Sequence, residues 1–145
     1  MESTINNRSK GIVSNLHEYT FHILGCGAIG SSAAVQLTRS GATIFFLYDM
    51  DKVEDVNIGV SQYDHRHIGL TKIKALSCIL EDINPNVKVE CVEGYFSEYL
   101  YNGDKDIAVL AFDNMDARLK AVEILCKTQQ CPKLIIDGRM GAEHY

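Results

Sequence analysis

The sequence predicts an α/β protein, a Rossmann-like three-layer α/β/α arrangement around a mostly parallel sheet with strand order 3-2-1-4-5. Three observations predict it. Strand-sized apolar runs alternate with segments of helical period, the pattern of parallel strands joined by right-handed crossovers. Several of these runs are almost continuously apolar, as strands buried on both faces are. The third is the glycine-rich turn Gly25-Cys26-Gly27-Ala28-Ile29-Gly30, which lies between the first strand and the first helix, where dinucleotide folds bring backbone close to phosphate.

The elements follow in order. Residues 1–14 are polar and are expected to form a flexible N-terminal arm, or one that packs only against a partner, with Arg8 as its one obvious chemical group. Residues 15–145 are expected to form the single domain. An apolar strand opens at Phe21; after the glycine turn, Ile29, Ala33, Ala34 and Leu37 recur at helical spacing until Gly41 stops the helix. Ala42–Tyr48 reads as a second, buried strand. Met50–Ile68 is a long polar connection, and long connections inside compact domains are commonly functional. Leu76, Ile79, Leu80 and Ile83 mark the next helix, ended by Asn84-Pro85. Val87–Val92 is the third strand and Asp106–Phe112 the fourth, ending at Asp113-Asn114. Ala117, Ala121, Val122 and Leu125 form a further helical face, and Lys133–Ile136 is the fifth strand.

Composition bounds the function. The chain has 145 residues, enough for one domain, and 46% hydrophobic content, enough for a packed core. A net charge of −5 without a Lys/Arg stripe argues against nucleic acid as a partner. No apolar run is long enough to span a membrane and the polar start lacks a signal-peptide core, so a cytoplasmic protein is expected. The five cysteines, Cys26, Cys78, Cys91, Cys126 and Cys131, form no C-x-x-C pair and are expected to be reduced and mostly buried. No zinc site is evident. Cys131 reads either as a catalytic thiol or, preferably, as a small core residue beside a loop.

The candidate site gathers at the carboxyl ends of the strands. In a 3-2-1-4-5 sheet, the glycine turn, Asp49, Asp51 and Asp113 share one crevice at the topological switch point. Asp49 lies nineteen residues past Gly30, where such folds place an acid that accepts hydrogen bonds from ribose hydroxyls. Asp113 suits Mg²⁺, a hard cation that takes oxygen ligands beside phosphate. Lys72, in the first turn of a helix, offers a point charge to phosphate. Plainer readings stay open: the turn is only structural, Asp113 caps the helix starting near Met115, and Lys72 is a solvated surface charge.

Taken together these residues resemble the nucleotide-binding half of the ThiF/MoeB/HesA family, the adenylyltransferases related to ubiquitin-activating enzymes. The matching residues, in order, are Gly25, Gly27 and Gly30, Asp49 with Asp51, Asn57, Gln62, Gly69 with Lys72, Ile83-Asn84-Pro85, and Asp113-Asn114 with Arg118. The resemblance covers the chain from about residue 15 onward. It implies ATP-dependent activation of a carboxylate, the C-terminus of a ubiquitin-like or sulfur-carrier protein or of a peptide, as an acyl-adenylate. The implied ligands are ATP and Mg²⁺. Gly25, Gly27, Ala28, Ile29, Gly30, Asp49, Asp51, Asn57, Gln62, Lys72 and Asn114 are the implied nucleotide contacts, with Lys72, Asp113 and Arg8 catalytic and Asp113 on the metal. In homodimeric relatives an N-terminal arginine reaches the partner's site, the role implied for Arg8.

The chain departs from the family pattern in two places. Ser61 stands where the family has a phosphate-clamping arginine before the loop glutamine, and the register of Arg66 does not replace it. Relatives also continue beyond the fifth strand into a substrate-side half. An uncovered strand edge there is expected to favour association, with a homodimer as the expected state. Two alternatives follow: a truncated, non-catalytic domain that binds nucleotide or a partner, and an NAD-dependent oxidoreductase fragment, which has no need of Lys72 and Asp113.

Overall fold

The computed structural model describes residues 15–94, 96–99, 104–127 and 131–138. The expected arm with Arg8, and the tail from Arg139, lie outside the described residues. Five strands, β1 (Thr20–Leu24), β2 (Ile44–Asp49), β3 (Lys88–Glu93), β4 (Asp106–Leu110) and β5 (Leu134–Asp137), form one sheet of order β3-β2-β1-β4-β5 in which every neighbour is parallel. Three helices connect them: α1 (Ala28–Arg39), α2 (Lys72–Ile83) and α3 (Met115–Leu125). The expected strand order is the observed one.

The pleat explains the unbroken apolar runs. Phe21, Ile23, Phe45, Leu47, Ile107 and Val109 point to one face, where they pack with Ala34 and Val35 of α1 and Ile73, Leu76 and Leu80 of α2. Their neighbours Leu24, Tyr48, Ala108 and Leu110 point to the other, against Ala121 and Leu125 of α3 and against Phe96 and Tyr99. Both faces of the central strands are therefore covered, and β1 and β4 are buried at every position. Each fully buried Leu, Ile or Phe contributes about 1.5–3 kcal/mol.

The boundaries shift for local reasons. The fourth strand stops at Leu110 rather than Phe112 because its partner β1 turns away at Gly25, whose φ is +103°. The second helix begins at Lys72: Thr71 caps it by accepting the Lys74 amide, and Leu70 is held back by a 2.8 Å bond from the Val53 amide. The long connection contains two short 3-10 turns, Asp55–Asn57 and His65–His67, each closed by a capping box.

Two expectations are corrected. Val122 is 37% exposed rather than on the buried face of α3, which Ala121 and Leu125 carry. Of the five cysteines only Cys26 is buried; Cys78 is half-buried, and Cys91, Cys126 and Cys131 are exposed. The reason is position: Cys91 is on edge strand β3, and Cys126 and Cys131 flank the connection into edge strand β5, so Cys131 is not a core residue. No described helix is long and apolar enough to cross a membrane.

Candidate nucleotide site

The glycines of the turn serve three different ends. At Gly25 a Cβ would stand 2.8 Å from the carbonyl carbon and oxygen of Ala111, so the turn passes directly against the end of β4. At Gly30 a Cβ would stand 1.8 Å from the Gly25 oxygen, which is how α1 packs under the turn. At Gly27 nothing lies within 4 Å. That opening faces solvent at the start of α1, where no side chain caps the helix, leaving its first amides available to an anion.

Asp49, at the end of β2, ties this turn to the next strand. Its Oδ2 accepts the Cys26 amide at 2.7 Å and its Oδ1 accepts the Asp51 amide at 2.8 Å. Each carboxylate oxygen keeps a further acceptor position for a hydroxyl. The Cys26 thiol is pushed up by burial and by the Asp49 carboxylate beside it, so it remains a neutral thiol under the turn. Tyr63, buried in the long connection, donates its hydroxyl to the Cys26 carbonyl at 2.5 Å and lies 3.4 Å from the Lys72 carbonyl. Burial pushes this phenol up as well, so it keeps its donor proton. One side chain thus joins the glycine turn to the start of α2, and a 2.8 Å bond from the Lys72 amide to the Asp51 carbonyl completes the frame.

Beyond β4, Asn114 rather than Asp113 caps α3, its Oδ1 accepting the amides of Asp116 at 2.7 Å and Ala117 at 3.2 Å. The capping alternative for Asp113 is thereby removed, and its exposed carboxylate faces the crevice.

The crevice has a volume of about 1040 Å³ and is lined by Gly25, Gly27, Asp49, Asp51, Lys72, Asp113 and Asn114, drawn from four separate stretches of chain. Among the predicted residues, Ala28, Ile29 and Gln62 line instead a second cleft of about 410 Å³, with Val60. Gly30 lies beneath the turn, and Asn57 turns inward on its own loop, its Oδ1 accepting the Glu54 amide at 2.7 Å. Arg66 is exposed, away from both clefts, and donates to Asp64 from Nε to both carboxylate oxygens at 3.2 Å and from Nη2 to Oδ2 at 2.9 Å. Its guanidinium pulls the Asp64 carboxyl down to about 2. Arg118 is committed to Asp137 and the Gly138 carbonyl, joining α3 to the end of β5.

Sequence reasoning missed Lys120 and Phe96, which also line the crevice. Lys120 had a signal: with Ala117 and Ile124 it shares one helical face, three and four residues apart. Among the described residues, five carboxylates, Asp49, Asp51, Asp113, Asp116 and Glu123, line the crevice with two ammonium groups, those of Lys72 and Lys120. A triphosphate entering this field brings strong repulsion unless a divalent cation accompanies it. Asp113, exposed and uncommitted to the cap, is a donor that fits such a cation. Among the described residues no three His, Cys, Asp or Glu side chains converge on a metal position, so the remaining ligands would be phosphate oxygens and water.

A parallel sheet with a glycine turn, an acid ending β2 and an acid after β4 gathered at one switch point is a Rossmann-like α/β arrangement, the fold class that places ligand sites at that point. The chain belongs to the ThiF family, whose model matches residues 4–138. It is 33% identical over 137 residues to ubiquitin-like modifier-activating enzyme 5 of Branchiostoma floridae, covering 82% of this chain and 34% of that protein. With the enzyme of the same name from Arabidopsis thaliana it shares 33% identity over 138 residues, covering 80% and 32%. The chain thus spans about a third of the length of the curated relatives it matches. Among solved structures, Escherichia coli tRNA N6-threonylcarbamoyladenosine dehydratase, TcdA, in complex with ATP superposes with a TM-score of 0.73 at 20% identity, covering 92% of this chain and 56% of that one. E. coli MccB with ATP gives 0.65 at 24%, covering 77% and 35%. These two likenesses show the fold.

Proposed function

We propose that this chain is the ATP-binding part of an adenylyltransferase that activates the C-terminal carboxylate of a ubiquitin-like or sulfur-carrier protein, or of a peptide, as an acyl-adenylate. The observation that carries the reading is the meeting of Gly27, Asp49, Lys72 and Asp113 in one crevice. The relatives' names, and the solved MccB structures with ATP and with the peptide MccA-N7isoASN, support the same class of ligands.

In this reading the amides at Gly27 and the start of α1 bind phosphate, Asp49 holds the ribose hydroxyls, and Lys72 neutralises the triphosphate. Mg²⁺ at Asp113 supplies further charge neutralisation. The substrate carboxylate attacks the α-phosphorus; the bond to the bridging oxygen breaks and pyrophosphate leaves with that electron pair. No general base is needed, because the attacking carboxylate is already ionised at neutral pH. Catalysis then rests on holding the reacting groups in line and stabilising phosphate charge. The working state is a cytoplasmic homodimer in which Arg8 of one protomer reaches the other's site.

A second reading has a specific observation in its favour. Ser61 occupies the place of the family's arginine, its hydroxyl bonding the Asn57 carbonyl at 2.5 Å, and Arg66 is engaged by Asp64. A nucleotide-binding domain without turnover accommodates that loss.

Thermal shift with Mg-ATP against NAD tests the ligand class, since a ligand of the native state raises its midpoint. Stabilisation by NAD with indifference to Mg-ATP would remove the first reading. ATP–pyrophosphate exchange with candidate carrier proteins tests turnover. Exchange that survives undiminished in both Lys72→Ala and Asp113→Ala would overturn the site assignment; binding without exchange would favour the second reading.

A further inference from the structure

A chain of four polar groups crosses the otherwise apolar face beneath α3, and none of them lines the crevice. Tyr48 Oη lies 2.9 Å from His22 Nδ1, His22 Nε2 lies 3.3 Å from Asp106 Oδ1, and Tyr99 Oη donates to Asp106 Oδ2 at 2.6 Å. His22 and Asp106 are both fully buried. Burial and the Asp106 carboxylate push the Tyr48 phenol up, so it keeps its proton and can donate to Nδ1. His22 Nε2 and Asp106 Oδ1 face each other as a close contact outside hydrogen-bond geometry. Phe46 stacks on His22 with ring centroids 4.9 Å apart, and Tyr99 meets the imidazole edge-on at 5.5 Å. Two hydrogen bonds and the close His22–Asp106 contact link the four groups in sequence, and polar groups buried so deeply are costly to separate.

The far end of this unit reaches the site. Tyr99 belongs to the segment 96–99, whose Phe96 and Ser97 form one wall of the crevice. The segment is fastened to the sheet at two points: Tyr99 on Asp106, and Phe96 packed edge-on against Tyr48 at 4.9 Å. Both fastenings end on the same four-group chain, which spans β2, β1 and β4.

We propose that Tyr48, His22, Asp106 and Tyr99 form a positioning relay that holds the 96–99 wall over the crevice and so sets nucleotide affinity from a distance. The affinity half rests on the nucleotide reading above. None of the four is a catalytic residue; they act through Phe96 and Ser97.

Amide hydrogen exchange and Mg-ATP titration on the full chain test it. Tyr99→Phe removes one oxygen and keeps the ring. It is expected to speed exchange of the Phe96–Tyr99 amides about tenfold, while Ile23 and Val109 change less than about twofold. Tyr48→Phe keeps the contact with Phe96 yet breaks the other end of the relay, and is expected to speed the same amides by about threefold. A general loss of stability would instead move Ile23 and Val109 in step. Unchanged exchange at 96–99 in Tyr99→Phe, or a rise shared equally by Ile23 and Val109, overturns the anchoring; no response to Tyr48→Phe overturns the relay. The Mg-ATP dissociation constant is expected to rise about fivefold in Tyr99→Phe. Loosened exchange with unaltered affinity overturns the affinity half. A parent chain that does not bind Mg-ATP removes the nucleotide reading and that half with it, while exchange still decides whether the wall is anchored.

Discussion

The Cys26 amide donates to Asp49 Oδ2 at 2.7 Å, so the glycine turn after β1 and the acid ending β2 are one rigid unit. The same carboxylate orients the turn and offers acceptors to the crevice. Asp49→Ala is expected to destabilise the fold by about 2 kcal/mol, since a charge-assisted bond to a buried amide is lost. It should also weaken Mg-ATP binding at least about tenfold. Chemical denaturation and calorimetric titration measure the two effects separately, and intact affinity would exclude Asp49 from ribose contact.

Gly25 and Gly27 should separate cleanly. Gly25→Ala places a methyl 2.8 Å from Ala111 backbone atoms at a φ of +103°, which L side chains rarely adopt. A loss of about 3 kcal/mol is expected, with a fall in Tm of roughly 10 °C. Gly27→Ala meets no atom within 4 Å, so its Tm should barely move while the methyl obstructs phosphate. Equal destabilisation by both changes would contradict this division.

Lys72 and Lys120 are the crevice's two cations among the described residues, and their removal should cost affinity unequally. Lys72→Ala is expected to weaken Mg-ATP by about thirtyfold, and Lys120→Ala by about threefold, as a charge further along α3 in a solvated field. Titrations at low and high salt should converge for Lys120→Ala. A larger effect at Lys120 than at Lys72 would move the triphosphate toward α3.

Arg66 should prove irrelevant to nucleotide. Its bond holds the Asp64 carboxyl at about 2, so the contact that closes the His65–His67 turn is present above the ordinary carboxylate pKa and lost as pH falls toward 2. Arg66→Ala should return that pKa toward about 4 by NMR titration and leave Mg-ATP affinity unchanged. A drop in affinity would mean that Arg66 swings in to replace the arginine absent at Ser61.

Edge strand β5 leaves Leu134 39% and Ile136 43% exposed, in contrast to the Lys and Glu side chains spaced along edge strand β3. Apolar edges template pairing and charged ones resist it. Light scattering is expected to show self-association that Ile136→Lys reduces. A monodisperse monomer at high concentration would count against the edge as an association surface.

Much of this was legible in the order of residues. Unbroken runs such as Ile44–Tyr48 announced a sheet covered on both faces, and the spacing of Gly25, Gly27, Gly30 and Asp49 announced the switch-point crevice, because both signals are local in sequence. The pleat and the glycine turn need only neighbours to declare themselves. Gly27 and Gly25 look alike in the string, yet one faces open space and the other the Ala111 backbone, a difference made by β4 arriving from more than eighty residues away. Tyr63, joining Cys26 to Lys72, and the buried set of His22, Asp106, Tyr48 and Tyr99 had no periodic signature at all. By itself the sequence determined the sheet, its order and the glycine turn beside the crevice. Only the tertiary structure decided which of the nominated residues share the crevice, that Asn114 rather than Asp113 caps α3, and that Asn57 bonds its own loop, since those outcomes depend on competition for hydrogen bonds among groups that packing brings together.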